Sequence, residues 1–468
     1  MKERSFLVMD TNSVVVLVLI LYAAAMVVMG AHFKRSADRG SVRESVLGRR
    51  KASFWVLLGS GVGMQVGSGF VIGGAEYGAI YGISGAWYGI GCGLSYIAAA
   101  LLICRLVYRN GFVSLADYFE RRYQGVAIRL IYNVITTLSA IAMMAGQLLA
   151  GKAIFQVVGL PPRMGVIVTA VISLVYTLST GMLGTMAMGA LQSAVILVGI
   201  IAALASTAGE FGLTFLRENL PASSFSPMPF DLEFLVSLTV PTILCALVQQ
   251  GMIQRVSSGK SERTSFFSCL YGGILVLPIA LIPPVLGMFG TVFFPELPAS
   301  SVMIQLLLVK LPVVIGAVIL AAVICAVVGA CNAVYISTAT VILHDVYHGI
   351  LRQEEDSGRD RKIVMLADLV VCLVGIFLAL AMDDIIQLLM MGYILVSSGC
   401  IVPFFGGLLW EHGSTRGALI SMCAGILAAV LDMADLIHLP YLSITSVLIS
   451  AVFFITASLA FPERSRAD

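Results

Sequence analysis

Apolar runs of about 18 residues or more follow one another from residue 13 to residue 461, separated by short polar stretches. A run of about 20 apolar residues crosses the hydrocarbon core of a bilayer as one helix. The pattern predicts about thirteen spans, at roughly 13–31, 53–81, 84–108, 128–158, 164–180, 184–208, 231–255, 265–292, 310–344, 361–381, 384–411, 415–435 and 440–461. The runs are continuous and rich in Leu, Ile, Val and Ala, without the two-residue alternation of barrel strands. In lipid every backbone polar group must be satisfied internally, which leaves a helix bundle. The expected fold class is an all-α polytopic membrane protein. No polar stretch is long enough for a soluble domain, so residues 1–468 read as a single membrane domain. The run Ser13 to Ala31 is long enough to span and lacks a cleavage site, so it reads as a helix and not as a signal peptide.

Composition agrees. Hydrophobic residues form 59% of the chain and charged residues 12%, against about 25% charged in soluble domains, and the mean hydropathy is +0.99. The net charge of +2 says nothing about acidic partners, but the placement of basic residues does set an orientation. The stretch after the first span, HFKRSADRGSVRESVLGRRKAS, holds seven Lys and Arg. If it is cytoplasmic, alternate connections place 22 of the 28 basic residues on that side, as the positive-inside rule favours. The expectation is a multi-pass plasma-membrane protein with its N-terminus outside and its C-terminus cytoplasmic.

Nine cysteines lie in apolar runs with no CxxC pair and read as small buried hydrophobes. His32, His344, His348, His412 and His438 fall at span ends or in loops. No metal-ligand cluster, nucleophile motif or phosphate loop accompanies them, so no enzyme and no cofactor are expected. Nucleic acid is excluded as a partner, since no basic stripe exists beyond the loops. Lipid and a small solute are the expected partners; the sequence sets no oligomeric state.

Polar and helix-weakening residues inside spans are few, which makes them informative. The second run, GSGVGMQVGSGFVIGGAEYGAIYG (Gly59 to Gly82), has nine glycines in 24 residues, each costing up to about 1 kcal/mol in a helix interior. Two arrangements fit. One is close helix packing through Gly63/Gly67 and Gly69/Gly73. The other is a discontinuous helix whose unwound middle offers backbone groups to a ligand, with Gln65 and Ser68 adding side chains. Glu76 and Lys152 each lie about six residues, or ~9 Å, from the outer end of their spans. They could pair to join two helices, or form a substrate- or proton-responsive pair in an outer vestibule. Asp368 is expected to be solvated or paired with a loop arginine. Ser337, Thr338 and Thr340 are expected to bond their own backbone.

Several stretches, in chain order, resemble the sodium:solute symporter family of proline, sugar, carboxylate and pantothenate carriers. VGSGFVIGGAEYGAIYGISGAW resembles its first core helix and the following turn, and SLADYFERRY (Ser114 to Tyr123) its cytoplasmic loop motif. VYTLSTGMLG followed by Gln192 resembles the next signature, and QQGMIQRVSSGKSERTS (Gln249 to Ser265) the end of the sixth core helix. GACNAVYISTATVILHDVY (Gly329 to Tyr347) resembles the eighth core helix, and VPFFGGLLWEHGSTRGALISMCAG the tenth-to-eleventh connection. The resemblance implies a five-plus-five inverted repeat over 53–411, with one extra helix at 13–31 and two more at 415–461. It implies a secondary transporter working by alternating access, with a small polar solute held by Gln65, Ser68, Gln147, Gln249 and Gln250. A polar or zwitterionic solute such as an amino acid would suit that set.

The same resemblance exposes a departure. Family members hold a cation between carbonyls of the broken helix, here about Met64 to Gly67, and two adjacent hydroxyls that fall on Gly329 and Ala330. An Asp three residues before the family's Gln falls on Gly189. A hard cation must trade its water shell for several oxygens, and these three positions supply none from side chains. Three explanations stay open: a cation site rebuilt from Thr185, Gln192 and Asn332, proton coupling through Glu76, or an uncoupled carrier. Sodium is the one metal ion in question. A transporter-like solute sensor is the alternative of another class.

Overall fold

The computed structural model describes residues 52–462 except 112–113, 180–181, 229–230 and 355, plus Leu21 and Ala24, without the side chains of 179, 182–188, 313–314, 325 and 357. Apart from those two residues, the span expected at 13–31 lies outside the described residues, as do the basic stretch after it and the C-terminal tail. The described chain is almost entirely helical; its one strand-like pairing is a bridge between Ala52 and Gly259. Among the described residues nine helices are long and apolar enough to cross a membrane, or ten if one bent pair is a single span.

The glycine-rich run forms two helices, α1 (Phe54–Gln65) and α2 (Gly74–Tyr81), joined through residues 66–68 and a π-helical turn, Gly69–Gly73. Gly82, at φ +66°, opens a tight turn that reverses the chain into α3 (Ala86–Ala99). That helix runs back along the pair: Gly85 abuts the Tyr77 backbone, Gly89 abuts Phe70, and Gln65 bonds Cys92. After a short π segment and Arg105–Asn110 comes α4 (Leu115–Tyr123), opened by a capping box of Ser114 and Asp117.

The remaining helices are α5 (Val126–Val157), α6 (Pro162–Ser179), α7 (Met182–Asn219), α8 (Leu232–Val248) and α9 (Gln250–Ser258). Next come α10 (Glu262–Ile279), α11 (Ile282–Phe293), a short α12 (Ala299–Lys310) and α13 (Val313–Thr340), which continues as a π-helix to Ile350. Last are α14 (Ser357–Ala381), α15 (Ile385–Leu409), α16 (Thr415–Met433) and α17 (Leu442–Ala460).

Local chemistry starts these helices where the hydropathy pattern does. Ser261, Asp356, Asp384 and Ser414 each accept a backbone N–H from the first turn of α10, α14, α15 and α16. Each such cap is worth about 1 kcal/mol. Outward faces are apolar, as lipid requires: α14 exposes Leu366, Val370, Leu373 and Phe377, spaced three or four residues apart. At the centre, α5 packs against α15, α6, α14 and α13, and α1 packs against α7 and α10.

One end of the bundle collects the basic residues. Arg109 pairs with Glu262 at 2.8 Å, Arg122 donates to the carbonyls of Gly407 and Trp410, and Ala52 bonds Ser258 beside Lys260. At the opposite end Gly82 abuts Ser224 and Glu233 accepts from the Tyr441 N–H.

Candidate functional site

Two helices break in the middle of the bundle. Val66 leaves the helical region, at φ −82° and ψ 52°, and separates α1 from α2. Gln249, at φ −75° and ψ 132°, separates α8 from α9, whose axes differ by 53°. A break strands backbone groups that lipid cannot satisfy, so a neighbour must. At the first break that neighbour is Gln147 of α5, whose Oε1 accepts from the Ser68 backbone N–H at 3.1 Å and from the Ser68 hydroxyl. One turn along the same face of α5, Met143 Sδ accepts from Gln249 Nε2 at 3.2 Å. A single face of α5 therefore touches both breaks. The two breaks also meet directly, since a Cβ on Gly251 would lie 3.4 Å from Met64 Cε.

The structure thus brings Ser68, Gln147 and Gln249 together, with Gln250 next to them and 3% exposed. Gln65 departs from the expected set. Its amide donates to the Cys92 carbonyl at 2.9 Å and to Ser95 Oγ at 2.8 Å, so it fastens α1 to α3. The two readings of the glycine run both hold, in different places. Gly59 and Gly63 let α1 touch the α7 backbone, where added Cβ atoms would fall 2.5 Å from Ala190 Cβ and from the Gly189 carbonyl oxygen. Gly67 sits at the break instead, where a Cβ would meet the Gln147 amide at 3.2 Å.

The three positions stripped of side-chain ligands lie around this seam. Gly189 faces Ser60 of α1, and a Cβ on Gly329 would sit 2.6 Å from Gln192 Oε1. Gln192, 2% exposed, reaches from α7 into the volume that a hydroxyl-bearing residue at 329 would need. Ala330 and Asn332 are buried one and three residues on. The Gly67 carbonyl already accepts from the Val71 N–H at 3.1 Å. Thr185 lies on α7, its side chain outside the described residues. Ser337 and Thr340 bond the Val334 and Ile336 carbonyls, as expected, while the buried Thr338 hydroxyl has no partner among the described residues.

Glu76 and Lys152 do not pair. The Lys152 ammonium sits on Asp383, in the turn between α14 and α15, and Asp383 is mostly exposed. Glu76 is buried on α2, its Oε2 without a hydrogen-bond partner among the described residues. The reason is the acidic Asp383–Asp384 turn, which caps α15 and brings Asp383 to the Lys152 ammonium; Tyr77 beside Glu76 donates to Asp384 at 3.3 Å. Asp368 is 1% exposed, and among the described residues nothing pairs with it and its Oδ1 has no hydrogen-bond partner. It lies on the face of α14 that packs into the bundle, not near a loop.

Sequence reasoning missed a buried cluster at the basic end. Asp345, fully buried, accepts on Oδ1 from Ser114 Oγ at 2.9 Å and from Arg129 Nη2 at 3.1 Å, with His344 Nδ1 at 2.8 Å. Arg129 also pairs with Glu120, and its guanidinium lies against Gly349, where a Cβ would come within 2.5 Å of it. The motifs carrying Ser114, Glu120 and Asp345 were visible, but not that they meet.

A lipid-facing bundle with two broken helices meeting at a polar centre defines a secondary transporter. The chain belongs to the sodium:solute symporter family, whose model matches residues 46–425. It is 19% identical to sodium/glucose cotransporter 1 of Oryctolagus cuniculus, over 90% of this chain and 72% of that one. An uncharacterised symporter of Bacillus subtilis (strain 168) is 21% identical over 75% of this chain and 73% of its own. Among solved structures, a substrate-bound, outward-open Na+-coupled sialic acid symporter superposes with a TM-score of 0.81 at 16% identity, covering 97% of this chain and 99% of that one.

Proposed function

We propose that the protein carries a small polar organic solute, an amino acid being the first expectation, across the plasma membrane without drawing on sodium at the position its family uses. The N-terminus is outside and the basic end cytoplasmic, by the positive-inside rule. One observation carries the solute reading: Gln147 closes the first break and Met143, a turn away, holds the second. A solute bound between them would compete for the same donors and acceptors, so binding and helix movement would be linked. Relatives named for glucose and myo-inositol keep sugars and polyols in the set to be tried. Against sodium drive stand Gly189, Gly329 and Ala330, with the Gln192 amide filling the space beside Gly329.

The test is uptake of labelled amino acids, sugars and polyols into proteoliposomes, with sodium replaced by choline at constant ionic strength. The expected result is saturable uptake of one solute class, lost in Gln147→Ala and unchanged by the replacement. Accumulation driven by a sodium gradient would overturn the coupling part, and no uptake of any solute would overturn the rest.

A further inference from the structure

One group of buried side chains has no part in the site above. Opposite its lipid face, α14 buries Ala367, Asp368, Val371 and Cys372 against α5, α6 and α13. Asp368 lies about 16 Å from the start of the helix and about 9 Å from Lys362, the last basic residue before the apolar run. Among the described residues no Lys, Arg or His pairs with it and no donor reaches its Oδ1. From α13, Tyr335 lies next to Asp368 with its buried hydroxyl against the Cys372 thiol, and Cys331 is one turn away.

The other titratable groups on the packed elements are committed elsewhere. On α5, Arg129 is held by Asp345 and Glu120, Lys152 by Asp383, and Tyr132 donates to the Val248 carbonyl. His348, after α13, pairs with Asp360 at 3.3 Å, and Tyr176 of α6 is buried.

From Asp368 towards the basic end more such atoms follow: Thr338 Oγ1, both amide atoms of Asn133, Arg129 Nε and Asp345 Oδ2. Tyr335, Thr338 and Asp345 descend one helix, and Asn133 stands one turn from Arg129 on α5, which touches Asp345. Counting Asp368 Oδ1, these six atoms without partners among the described residues belong to residues of α5, of α13 with its π-helical continuation and of α14, helices that pack on one another. Each costs about 1–3 kcal/mol, so their concentration in one place calls for a function. A carboxyl buried with neither cation nor donor rests as the neutral acid.

We propose that Asp368 is a proton-binding site of the transport cycle, exchanging its proton with the basic end along Tyr335, Thr338, Asn133 and Asp345. In loading, one O–H bond of hydronium breaks as one forms on Asp368; no electron changes hands. The word cycle rests on the transport reading, whereas protonation does not.

Infrared difference spectra of the full chain in liposomes test this without a solute. At neutral pH the carbonyl stretch of a protonated carboxyl is expected, with a component lost in Asp368→Asn and kept in Glu76→Gln. That component is expected to shift on transfer to D2O, several-fold more slowly in Thr338→Val and Tyr335→Phe. Asp368→Glu, which should move the component, covers the case that the Asn variant fails to fold. A spectrum unchanged by Asp368→Asn overturns the proposal, and so does a component that D2O never shifts, which would be a sealed structural acid. Failure of the transport reading would show in uptake alone.

Discussion

Lys152 has two acidic neighbours in prospect and takes the exposed one. An ammonium on the rim of a bundle keeps part of its hydration when it pairs with Asp383, whereas reaching Glu76 would strip both charges of water. The pair is consequently weak, within the ~0–1 kcal/mol of exposed ion pairs. In a double-mutant stability cycle, Lys152→Met and Glu76→Gln should add to within about 0.5 kcal/mol. Coupling beyond that, persisting when Asp383 is replaced by Asn, would put the two side chains in contact after all. Asp345 is the opposite case. It is fully buried and anchors Arg129, itself only 7% exposed along its side chain. Asp345→Ala should cost about 3–5 kcal/mol, because it leaves a buried guanidinium short of its counter-charge. Denaturation in detergent measures it, and a loss below about 1 kcal/mol would mean that Glu120 alone suffices.

At the scale of elements, the two breaks were unequally legible. Nine glycines announced trouble in the first helix, and residues 66–68 are where the helix gives way. The second break sits at Gln249–Gln250 inside an apolar run that reads as one continuous span from 231 to 255, since two glutamines do not interrupt a span-length window of hydropathy. The π-helical stretches at 69–73, 100–104 and 341–350 leave no mark in the pattern either, because one extra residue per turn barely shifts an apolar stripe. Side-chain direction was the least legible property. Gln65 and Ser68 are three residues apart, yet the unwinding between them sends Gln65 to α3 and Ser68 to Gln147. The bond at Ser68 gives a test at this scale. Gln147→Leu removes the acceptor for both Ser68 donors and should cost about 1–3 kcal/mol while lowering solute affinity; Gln65→Leu should lower stability but leave affinity alone. Equal effects on affinity would return Gln65 to the site.

For the whole molecule, the question is whether closing the bundle needs an ion. Around α1, α7 and α13 the contacts that a cation would mediate are made by the protein itself. Glycine backbones of α1 and α7 touch, Ser193 donates to the Gly59 carbonyl at 2.9 Å, and Gln192 reaches Gly329. A ligand that binds only the native state stabilises it by about 2.7 kcal/mol at a hundredfold excess over Kd. The wild-type melting temperature should therefore stay flat as sodium replaces choline at constant ionic strength. The geometry also indicates how to restore a response. A Cβ on Gly189 meets nothing nearer than 3.8 Å, so an aspartate fits there, while a serine at 329 needs Gln192 shortened. Gly329→Ser alone should lower stability, and Gln192→Ala should relieve the loss. Gly189→Asp, Gln192→Ala, Gly329→Ser and Ala330→Thr together should gain a saturable melting shift specific to sodium. A wild-type rise that Gln192→Ala abolishes would instead make the Gln192 amide a cation ligand, and the seam a rebuilt ion site.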